Sequence, residues 1–402
     1  MRFVETLALV PLVLAAPRPM RRSALAPLIV PRDAQLVEGS YIVRMKAEAA
    51  EQSISSTMEL LSAPPAFTYT DAFNGFAGSL TPEELETIRA NPDVEEVEQD
   101  ALVSMFESPQ QDADWGLARL SDNKPGGTTY TFDNSAGEGT CAYVIDTGVD
   151  ASHPDFEGRA KMLKSFVRGG GETDDHGHGT HVCGTIASKT FGVAKKAKVF
   201  GVKVLDASGG GSNSVVMAGM DFVTKDARNQ TCPKGAVANM SLGGTKSKAI
   251  NAAAEAMIKS GVMLIAAAGN DGKDAVDYSP ASTPGACTIG ATTIDDKLAS
   301  YSNIGSMVDV LAPGSNITST WMNGETKTIS GTSMAAPHVA GLAAYFLGMG
   351  QKKEGLCEFM AKNSLKDVIK GVPTDTVNLL IHNKANNGTR GPLEAEAEAE
   401  AE

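Results

Sequence analysis

Short, uninterrupted apolar segments alternate with amphipathic segments over most of this chain, from about residue 115 onward. The amphipathic segments include residues 215–226 and 249–260, and the apolar ones are residues 141–145, 199–205, 237–242 and 262–268. Continuous apolar strands separated by helices are typical of a parallel sheet that is covered by helices on both faces. We therefore predict a three-layer α/β domain, whose ligands and catalytic side chains should gather beyond the carboxyl ends of the strands.

A smaller pattern precedes this domain. Thr81 and Pro82 have the character of an N-cap and a first helical residue. The predicted elements are strands at 41–45, 67–80 and 94–103 and helices at 47–61 and 81–90. This order predicts an α+β module of about 60 residues, which would be marginally stable alone. Its flanks, 17–40 and 107–114, show little pattern and are predicted to be unpacked or exposed.

Both ends of the chain carry recognisable segments. Arg2, an apolar run at 7–14 and Ala15-Ala16 have the layout of a signal peptide, and the run is too short to span a membrane. We predict a signal peptide at 1–16, and Arg21-Arg22 could be either a processing site or a solvated basic pair. The acidic Glu-Ala tail at 389–402 is predicted to be disordered, because like charges repel and nothing apolar anchors it.

Charge and cysteine content limit the partners and the kinds of site. The chain has 35 Lys+Arg and 48 Asp+Glu, for a net charge of −13. This balance argues against nucleic acid as a partner, because phosphate binding needs a basic surface. No later segment is long and apolar enough to span a bilayer. Five cysteines lie scattered without a CxxC pair. In an exported protein four would form two disulfides, and counting does not show which.

Three polar motifs stand where this fold would gather its chemistry. Asp146 ends an apolar run, His178 lies in the motif at 175–181, and Ser333 precedes an Ala-rich helix with Pro337 in its first turn. A serine at a helix N-terminus meets free N–H groups and the helix dipole, which suits a nucleophile whose attack creates an oxyanion. From the residues alone, Ser333 could equally be a helix cap. His176, His178 and His181 could instead bind zinc.

The order Asp, His, Ser is one in which hydrolytic triads occur. The motifs Asp146-Thr-Gly148, His178-Gly-Thr-His181 and Gly331-Thr-Ser-Met-Ala-Ala-Pro337 together resemble the three signatures of the subtilisin-like serine proteases. Segments at 115–119, 192–196 and 218–222 resemble the proteinase K-like group of secreted fungal enzymes. The resemblance extends from residue 115 to 383, and residues 41–103 resemble the inhibitory propeptide of that family.

This resemblance implies a domain organisation and an activity. A subtilisin-like peptidase domain is expected at 108–388, after a propeptide at 17–107 that contains a ferredoxin-like inhibitor module at 41–103. The protein would be a secreted serine endopeptidase, made as a zymogen that cleaves itself between residues 103 and 111. Its partners would be protein and peptide substrates and its own propeptide, and a monomer is expected.

The resemblance also implies the catalytic roles. Ser333 would be the nucleophile, and His178 would take its proton and later donate it to the leaving amine. Asp146 would fix the tautomer of His178 and stabilise the imidazolium. The side-chain amide of Asn270, together with the backbone N–H of Ser333, would bind the oxyanion.

Substrate-binding residues follow from the same resemblance. Gly209, Gly210 and Gly211 would pair with an extended substrate. The first specificity pocket would be lined by small or uncharged residues, which are Ser241, Leu242, Gly243, Ala267, Ala268 and Gly269. Such a pocket should accept large apolar or aromatic side chains. Two residues depart from the family pattern: Asn213 stands where relatives often have a tyrosine, and His176 where they usually have a small polar residue.

Disulfides and a metal are implied as well. The resemblance pairs Cys141 with Cys232 and Cys287 with Cys357, and it leaves Cys183 free. A structural Ca²⁺ would be bound by Asp309 and the carbonyl oxygens of Pro284 and Ala286, since calcium prefers hard oxygen ligands. No organic cofactor is expected. Glycosylation sequons occur at Asn229, Asn239, Asn316 and Asn387, and Asn239 is predicted to be buried.

Two other functions are weaker. A catalytically dead binding or inhibitor protein could use the same scaffold, but Asp146, His178, Ser333 and Asn270 are all present. A nucleotide-binding protein would need a GxGxxG motif that opens a helix after the first strand, and the glycines at 169–171 do not meet that condition.

Overall fold

The computed structural model describes residues 25–31, 36–101 and 107–385. The chain divides into two compact units, one ending at Met105 and the other beginning at Phe106. The predicted signal peptide, the Arg21-Arg22 pair, the sequon at Asn387 and the Glu-Ala tail lie outside the described residues, as does the segment 102–106.

The first unit is a five-stranded sheet with two helices. Its elements are β1 (Leu28–Ile29), β2 (Leu36–Met45), α1 (Glu51–Met58), β3 (Phe67–Tyr69), β4 (Gly75–Ser79), α2 (Pro82–Arg89) and β5 (Val94–Ala101). The strand order is β1-β5-β2-β4-β3, with β2 antiparallel to both β4 and β5. Val43, Phe76, Ile88 and Val97 form its buried core. The predicted α+β module is confirmed.

Local signals predicted one element of this unit well. Thr81 Oγ1 accepts a hydrogen bond from the N–H of Glu84, and Glu84 Oε2 accepts one from the N–H of Thr81, at 3.2 and 2.7 Å. This capping box, with Pro82 as the first helical residue, starts α2 where the sequence predicted a helix.

Two other predictions for this unit were wrong. Residues 67–80 form two strands and not one, because the chain turns between Tyr69 and Gly75. Residues 17–40 were expected to lack packed structure, yet β1 pairs in parallel with β5. Pro27 holds it there by accepting a backbone hydrogen bond from Val97 at 2.9 Å. Edge pairing of this kind depends on a distant strand and leaves no local pattern.

The second unit contains the predicted parallel sheet. Its helices are α3 (Trp115–Arg119), α4 (His178–Ala187), α5 (Asn213–Asp226), α6 (Lys248–Lys259), α7 (Thr332–Gly348) and α8 (Leu356–Asn363). Its strands are β6 (Glu107–Gln110), β7 (Tyr130–Asp133), β8 (Cys141–Asp146), β9 (Ala160–Ser165), β10 (Lys198–Lys203), β11 (Ala236–Met240), β12 (Gly244–Thr245), β13 (Met263–Ala267), β14 (Tyr278–Ser279), β15 (Cys287–Thr292), β16 (Val310–Pro313), β17 (Ile317–Thr320), β18 (Thr326–Ile329), β19 (Leu365–Lys366) and β20 (Leu379–Leu380).

The central sheet has the order β19-β20-β16-β15-β13-β11-β8-β10-β9. All neighbouring pairs from β9 to β20 are parallel, and only β19 runs antiparallel to its neighbour. Helices α4 and α7 pack on one face, and α5 and α6 cover the other. The three-layer α/β prediction is therefore confirmed. Because β8, β11 and β13 are parallel neighbours, Asp146, Met240 and Ala267 end at the same edge of the sheet.

The predicted exposed linker at 107–114 is partly a strand. Residues Glu107–Gln110 form β6, which pairs antiparallel with Tyr130–Asp133. Polar residues are compatible with a short two-stranded pairing as well as with a loop, so composition alone did not distinguish the two.

Both disulfides implied by the resemblance are present. Cys141 at the start of β8 is joined to Cys232, and Cys287 at the start of β15 is joined to Cys357 on α8. Cys183 is a free, buried thiol on α4. Among the described residues, no helix is both long enough and apolar enough to cross a bilayer.

Candidate active site

Asp146 and His178 meet at the edge of the sheet. Asp146 is the last residue of β8 and is fully buried, and His178 is the first residue of α4. His178 Nδ1 lies 2.8 Å from Asp146 Oδ1, which also accepts the N–H of Thr147 at 2.7 Å. A carboxylate can only accept here, so Nδ1 of His178 carries a proton and the neutral ring has its lone pair on Nε2.

The environment of His178 favours its protonated form. Burial lowers the pKa of the imidazole, but the charge and hydrogen bond of Asp146 and the charge of Asp174 raise it by more. The net effect is a pKa above the usual histidine value. About 19% of the side chain remains exposed, so the ring is open to the cleft.

A tightly turned loop places His178 at the start of its helix. Gly177 has φ +101°, and a Cβ there would lie 2.3 Å from the ring of Trp321, so only glycine fits. The buried Asp174 accepts the backbone N–H groups of His176, Gly177 and Thr180 at 2.8–3.0 Å. These bonds and the Thr180 hydroxyl outweigh the effect of burial and lower the pKa of Asp174, so it stays ionised and holds the loop.

Ser333 is the second residue of α7, and Gly331 is its N-cap. The interpretation of Ser333 as a helix cap is therefore wrong. Its Oγ donates to the carbonyl of Ser241 at 3.0 Å, and Ser241 Oγ donates to the carbonyl of Ser333 at 2.8 Å. Within the part of the chain that the structure describes, no hydrogen bond joins Ser333 to His178. Catalytic hydrogen bonds are commonly loose in the absence of substrate.

Pro337 explains why the carbonyl of Ser333 is available. The sequence placed this proline in the first turn, but it lies inside α7, four residues after Ser333. Proline has no N–H, so it cannot make the i to i−4 bond to that carbonyl. The hydroxyl of Ser241 takes its place as the donor. This hydrogen bond links the start of α7 to the segment that follows β11.

Asn270 is held in one orientation by Thr332. Its Oδ1 accepts the N–H of Thr332 at 2.8 Å and the hydroxyl of Thr332 at 2.9 Å. A backbone N–H can only donate, so the oxygen of the amide faces Thr332 and Nδ2 is left over as a donor. Gly269, with φ +109°, makes the preceding turn against Asn303. Thr332 had no assigned role in the sequence analysis, because its neighbour Ser333 carried the motif.

The predicted pocket residues surround a cavity beside Ser333. Its volume is about 250 Å³, and its lining includes the predicted Leu242, Gly243, Ala267, Ala268 and Gly269. Ser241 lies instead in an adjoining cleft of about 400 Å³, with His178 and the predicted Gly209, Gly210 and Gly211. Leu242 and Gly243 line both spaces, so the cavity and the cleft are next to each other.

Sequence reasoning missed two polar residues of the cavity, Tyr278 and Asp271. A hydrogen bond to Asp271 raises the pKa of the Tyr278 hydroxyl, with smaller contributions from burial and the nearby charge. Tyr278 lies on the two-residue strand β14, so no strand-end signal marked it. Asp271 follows Asn270 directly and had no assigned role in the sequence analysis.

The three histidines do not form a zinc site. The rings of His176 and His178 are 6.3 Å apart, and His181 is buried with Nε2 bound to the carbonyls of Ile317 and Lys327. In the described ranges, one group of three metal-ligand side chains lies close enough to hold an ion, namely Cys287, Asp309 and Cys357. Both cysteines are in a disulfide, which leaves Asp309 as the ligand.

Asp309 and Ala286 line a cavity of about 510 Å³ that shares no lining residue with the cleft of His178, and Pro284 is not among its lining residues. Burial raises the pKa of Asp309 to about 6, against a hydrogen bond from Thr288 and with a contribution from the charge of Glu358. A partly buried carboxylate near a second acidic side chain fits a hard cation such as Ca²⁺.

Comparison with known proteins matches both units. The Subtilase family model matches residues 137–388, and the Peptidase inhibitor I9 model matches residues 40–106. The chain is 50% identical to the cuticle-degrading protease of Metarhizium anisopliae over 389 residues, which cover 96% of this chain and all of that one. It is 62% identical to Proteinase T of Parengyodontium album over 287 residues, covering 71% and 98% of the two chains.

A solved structure agrees with the sequence matches. The crystal structure of a cold-adapted subtilisin-like serine proteinase superposes with a TM-score of 0.64 at 41% identity, covering 69% of this chain and all of that one. An inhibitor domain ahead of the peptidase domain is the arrangement of a zymogen. The chain belongs to the subtilase family, and it is a subtilisin-like serine endopeptidase that carries an I9 inhibitor domain as its propeptide.

Proposed function

We propose that Asp146, His178 and Ser333 are the catalytic triad of this peptidase. The observation that carries the proposal is the 2.8 Å hydrogen bond between His178 Nδ1 and the buried Asp146. This bond leaves the lone pair on Nε2 of His178, which lines the cleft together with Ser241. Ser333 is hydrogen-bonded to Ser241 and so lies next to the same cleft. Supporting evidence is the position of each side chain in its element. Asp146 ends β8, His178 begins α4, and Ser333 lies in the first turn of α7.

The proposed reaction first forms an acyl-enzyme and then hydrolyses it, and the same side chains act in both steps. The hydroxyl of Ser333 turns from Ser241 toward His178 and attacks the scissile carbonyl carbon, while Nε2 of His178 takes its proton. The C=O bond electrons move to oxygen, and the backbone N–H of Ser333 and Asn270 Nδ2 donate to this oxyanion. Collapse breaks the C–N bond, and His178 gives its proton to the amine. Water then repeats the sequence on the acyl-enzyme.

We also propose the substrate preference. An extended peptide would pair with Gly209–Gly211, as an added strand that leaves most side chains unconstrained. The residue before the scissile bond would enter the cavity lined by Leu242 and Ala268. The predominance of small, uncharged wall residues supports a preference for large apolar or aromatic side chains there.

We also propose that the protein is secreted, cleaves its own propeptide and acts as a monomer, with neither nucleic acid nor membrane as a partner. The acidic net charge of −13 supports the first of these exclusions. Within the predicted cleavage range of 103–111, the pairing of Glu107–Gln110 with β7 favours a bond before residue 107. Cleavage after Phe106 would also place an aromatic residue in the proposed pocket.

We further propose a structural Ca²⁺ bound by Asp309 with the carbonyls of Pro284 and Ala286. The ion would neutralise a carboxylate that burial otherwise penalises. It would support the link between β15 and α8, which Cys287–Cys357 already fastens. It takes no part in the proposed bond cleavage.

Replacement of Ser333 tests the catalytic proposal. Ser333→Ala should abolish peptide hydrolysis and leave the propeptide attached, because no other group is proposed to attack a carbonyl. Ser330→Ala is the matched control, since Ser330 is exposed and three residues away, and it should process and hydrolyse normally. Both variants are expressed as full-length chains, and the products are weighed by mass spectrometry.

The same experiment separates the two functional hypotheses. A binding protein on a dead peptidase scaffold would show no Ser333-dependent hydrolysis in the wild-type protein. Unaided maturation of Ser333→Ala would contradict self-processing.

A further inference from the structure

His176 lies in the substrate cleft but has no part in the proposed catalysis. It lines the cleft together with His178 and Gly209. The ring is half-buried, and it packs between the ring of His178 at 6.3 Å and that of Trp321 at 6.4 Å. These contacts leave little freedom for the side chain, so the direction of its ring nitrogens is defined.

One hydrogen bond fixes the tautomer of His176. Nδ1 accepts the backbone N–H of His178 at 3.3 Å. The neutral ring therefore carries its proton on Nε2. No described residue accepts that Nε2–H. A Cβ placed on Gly209 would lie 3.4 Å from Nε2, so this donor faces the glycine edge along which a substrate would pair.

Strand geometry identifies which substrate residue would meet this donor. Successive side chains of an extended peptide point to opposite sides. If the residue before the scissile bond enters the cavity at Leu242 and Ala268, the residue one position earlier points away from it. His178 and His176 line the cleft but not that cavity, so they are the side chains available to this earlier residue. We call this earlier position the second substrate residue.

The charges around His176 restrict what its donor can bind. Asp174 accepts the N–H of His176, Asp146 accepts from His178, and Asp206 accepts the N–H of Gly210 at 3.2 Å. A further carboxylate brought close to these three by the substrate would be repelled, whereas an amide would not.

We infer that His176 is a specificity-determining residue that favours an uncharged hydrogen-bond acceptor, such as Asn or Gln, at the second substrate residue. This inference rests on the proposed peptidase function. Nε2–H of His176 donates to the side-chain oxygen of the substrate, and an apolar side chain of similar size covers that donor without offering it an acceptor. The resulting selectivity is a property of this chain, because it depends on an imidazole at position 176.

The test compares two peptide anilides that differ only at that position, Ala-Ala-Asn-Phe and Ala-Ala-Leu-Phe p-nitroanilide. The mature wild-type enzyme should show the higher kcat/KM on the Asn peptide. His176→Phe keeps a ring of similar size but has no donor, and it should lower the Asn/Leu ratio about 3- to 10-fold. His176→Asn keeps an acceptor for the N–H of His178 but is too short to reach the substrate, and it should lower the ratio similarly.

The ratio separates selectivity from a structural role. Disturbance of His178 would lower kcat/KM for both peptides equally, so an unchanged ratio in both variants, or no Asn preference in the wild type, would overturn the inference. Asn213→Ala, which alters the same cleft elsewhere, should leave the ratio as it is. Failure of the wild type to cleave either peptide would be a different result, since it would contradict the proposed function as well.

Discussion

At the scale of single residues, the pKa of His178 makes a definite prediction for the pH profile. The proposed base must be neutral, and Asp146 and Asp174 raise its pKa despite burial. Activity should therefore be lost as the pH falls through a value above the usual 6.5 of histidine. The acidic limb of kcat/KM against pH measures this value in the free enzyme. A limb at or below pH 6.5 would contradict the prediction.

The oriented amide of Asn270 makes a second prediction. Asn270→Ala removes Nδ2, the proposed donor to the oxyanion, and should lower kcat by about 10²–10³ with little change in KM. That magnitude is the one known for the corresponding change in subtilisin, a member of the same family. Thr332→Val keeps the backbone N–H that binds Oδ1 and loses only the hydroxyl, so its effect should be much smaller. Equal losses in both variants would refute this account.

Sequence reasoning reached those residues that stand beside a recognisable element boundary. Asp146 ends an apolar run, and Ser333 begins a helix, so both could be found from the chain alone. Tyr278 could not, because it lines the cavity from a two-residue strand that carries no periodic pattern. The hydrogen bonds by which Thr332 orients Asn270 and Ser241 contacts Ser333 could not be predicted either. Each joins residues that are far apart in the sequence.

At the scale of secondary structure elements, the amphipathic segments predicted helices and the uninterrupted apolar runs predicted central strands. The edge strands had no such pattern. The predicted runs at 141–145 and 262–268 correspond to β8 and β13 within two residues. By contrast, β1 and β6 are short strands in small or edge pairings. Their formation depends on partners elsewhere in the chain, which a local pattern does not contain.

Element positions also discriminate among the glycosylation sequons. Asn239 is fully buried within β11, whereas Asn229 is exposed just after α5. A glycan on Asn239 is incompatible with the folded sheet, so the protein secreted from a eukaryotic host should carry glycan at Asn229 and none at Asn239. Peptide mass spectrometry before and after glycosidase treatment measures this, with Asn229→Gln as the control. A glycan found on Asn239 of active enzyme would refute the prediction.

At the scale of the whole molecule, calcium should contribute to the stability of the peptidase domain. Chelation with EGTA should lower the Tm by roughly 5 °C or more, because an ion that binds only the folded state stabilises it by mass action. Asp309→Asn should have a low Tm that EGTA no longer changes. Asp295→Asn, which removes an exposed carboxylate, should respond to EGTA like the parent.

These melting experiments need a protein that does not digest itself. The parent, Asp309→Asn and Asp295→Asn proteins are therefore all made in the Ser333→Ala background. Insensitivity of the parent to EGTA would exclude a stabilising calcium ion at any site. An unaltered EGTA response in the Asp309 variant would place the ion elsewhere.

The distribution of the active site along the chain has a consequence for the cell that makes this enzyme. Asp146, His178 and Ser333 belong to β8, α4 and α7, and α7 is the buried central helix, near the end of the peptidase domain. Synthesis proceeds from the N-terminus, and the inhibitor domain is complete long before α7 leaves the ribosome. A nascent or truncated chain that lacks this helix also lacks Ser333, the proposed nucleophile. The cell would thus contain active protease only after the inhibitor domain of the same chain has been made.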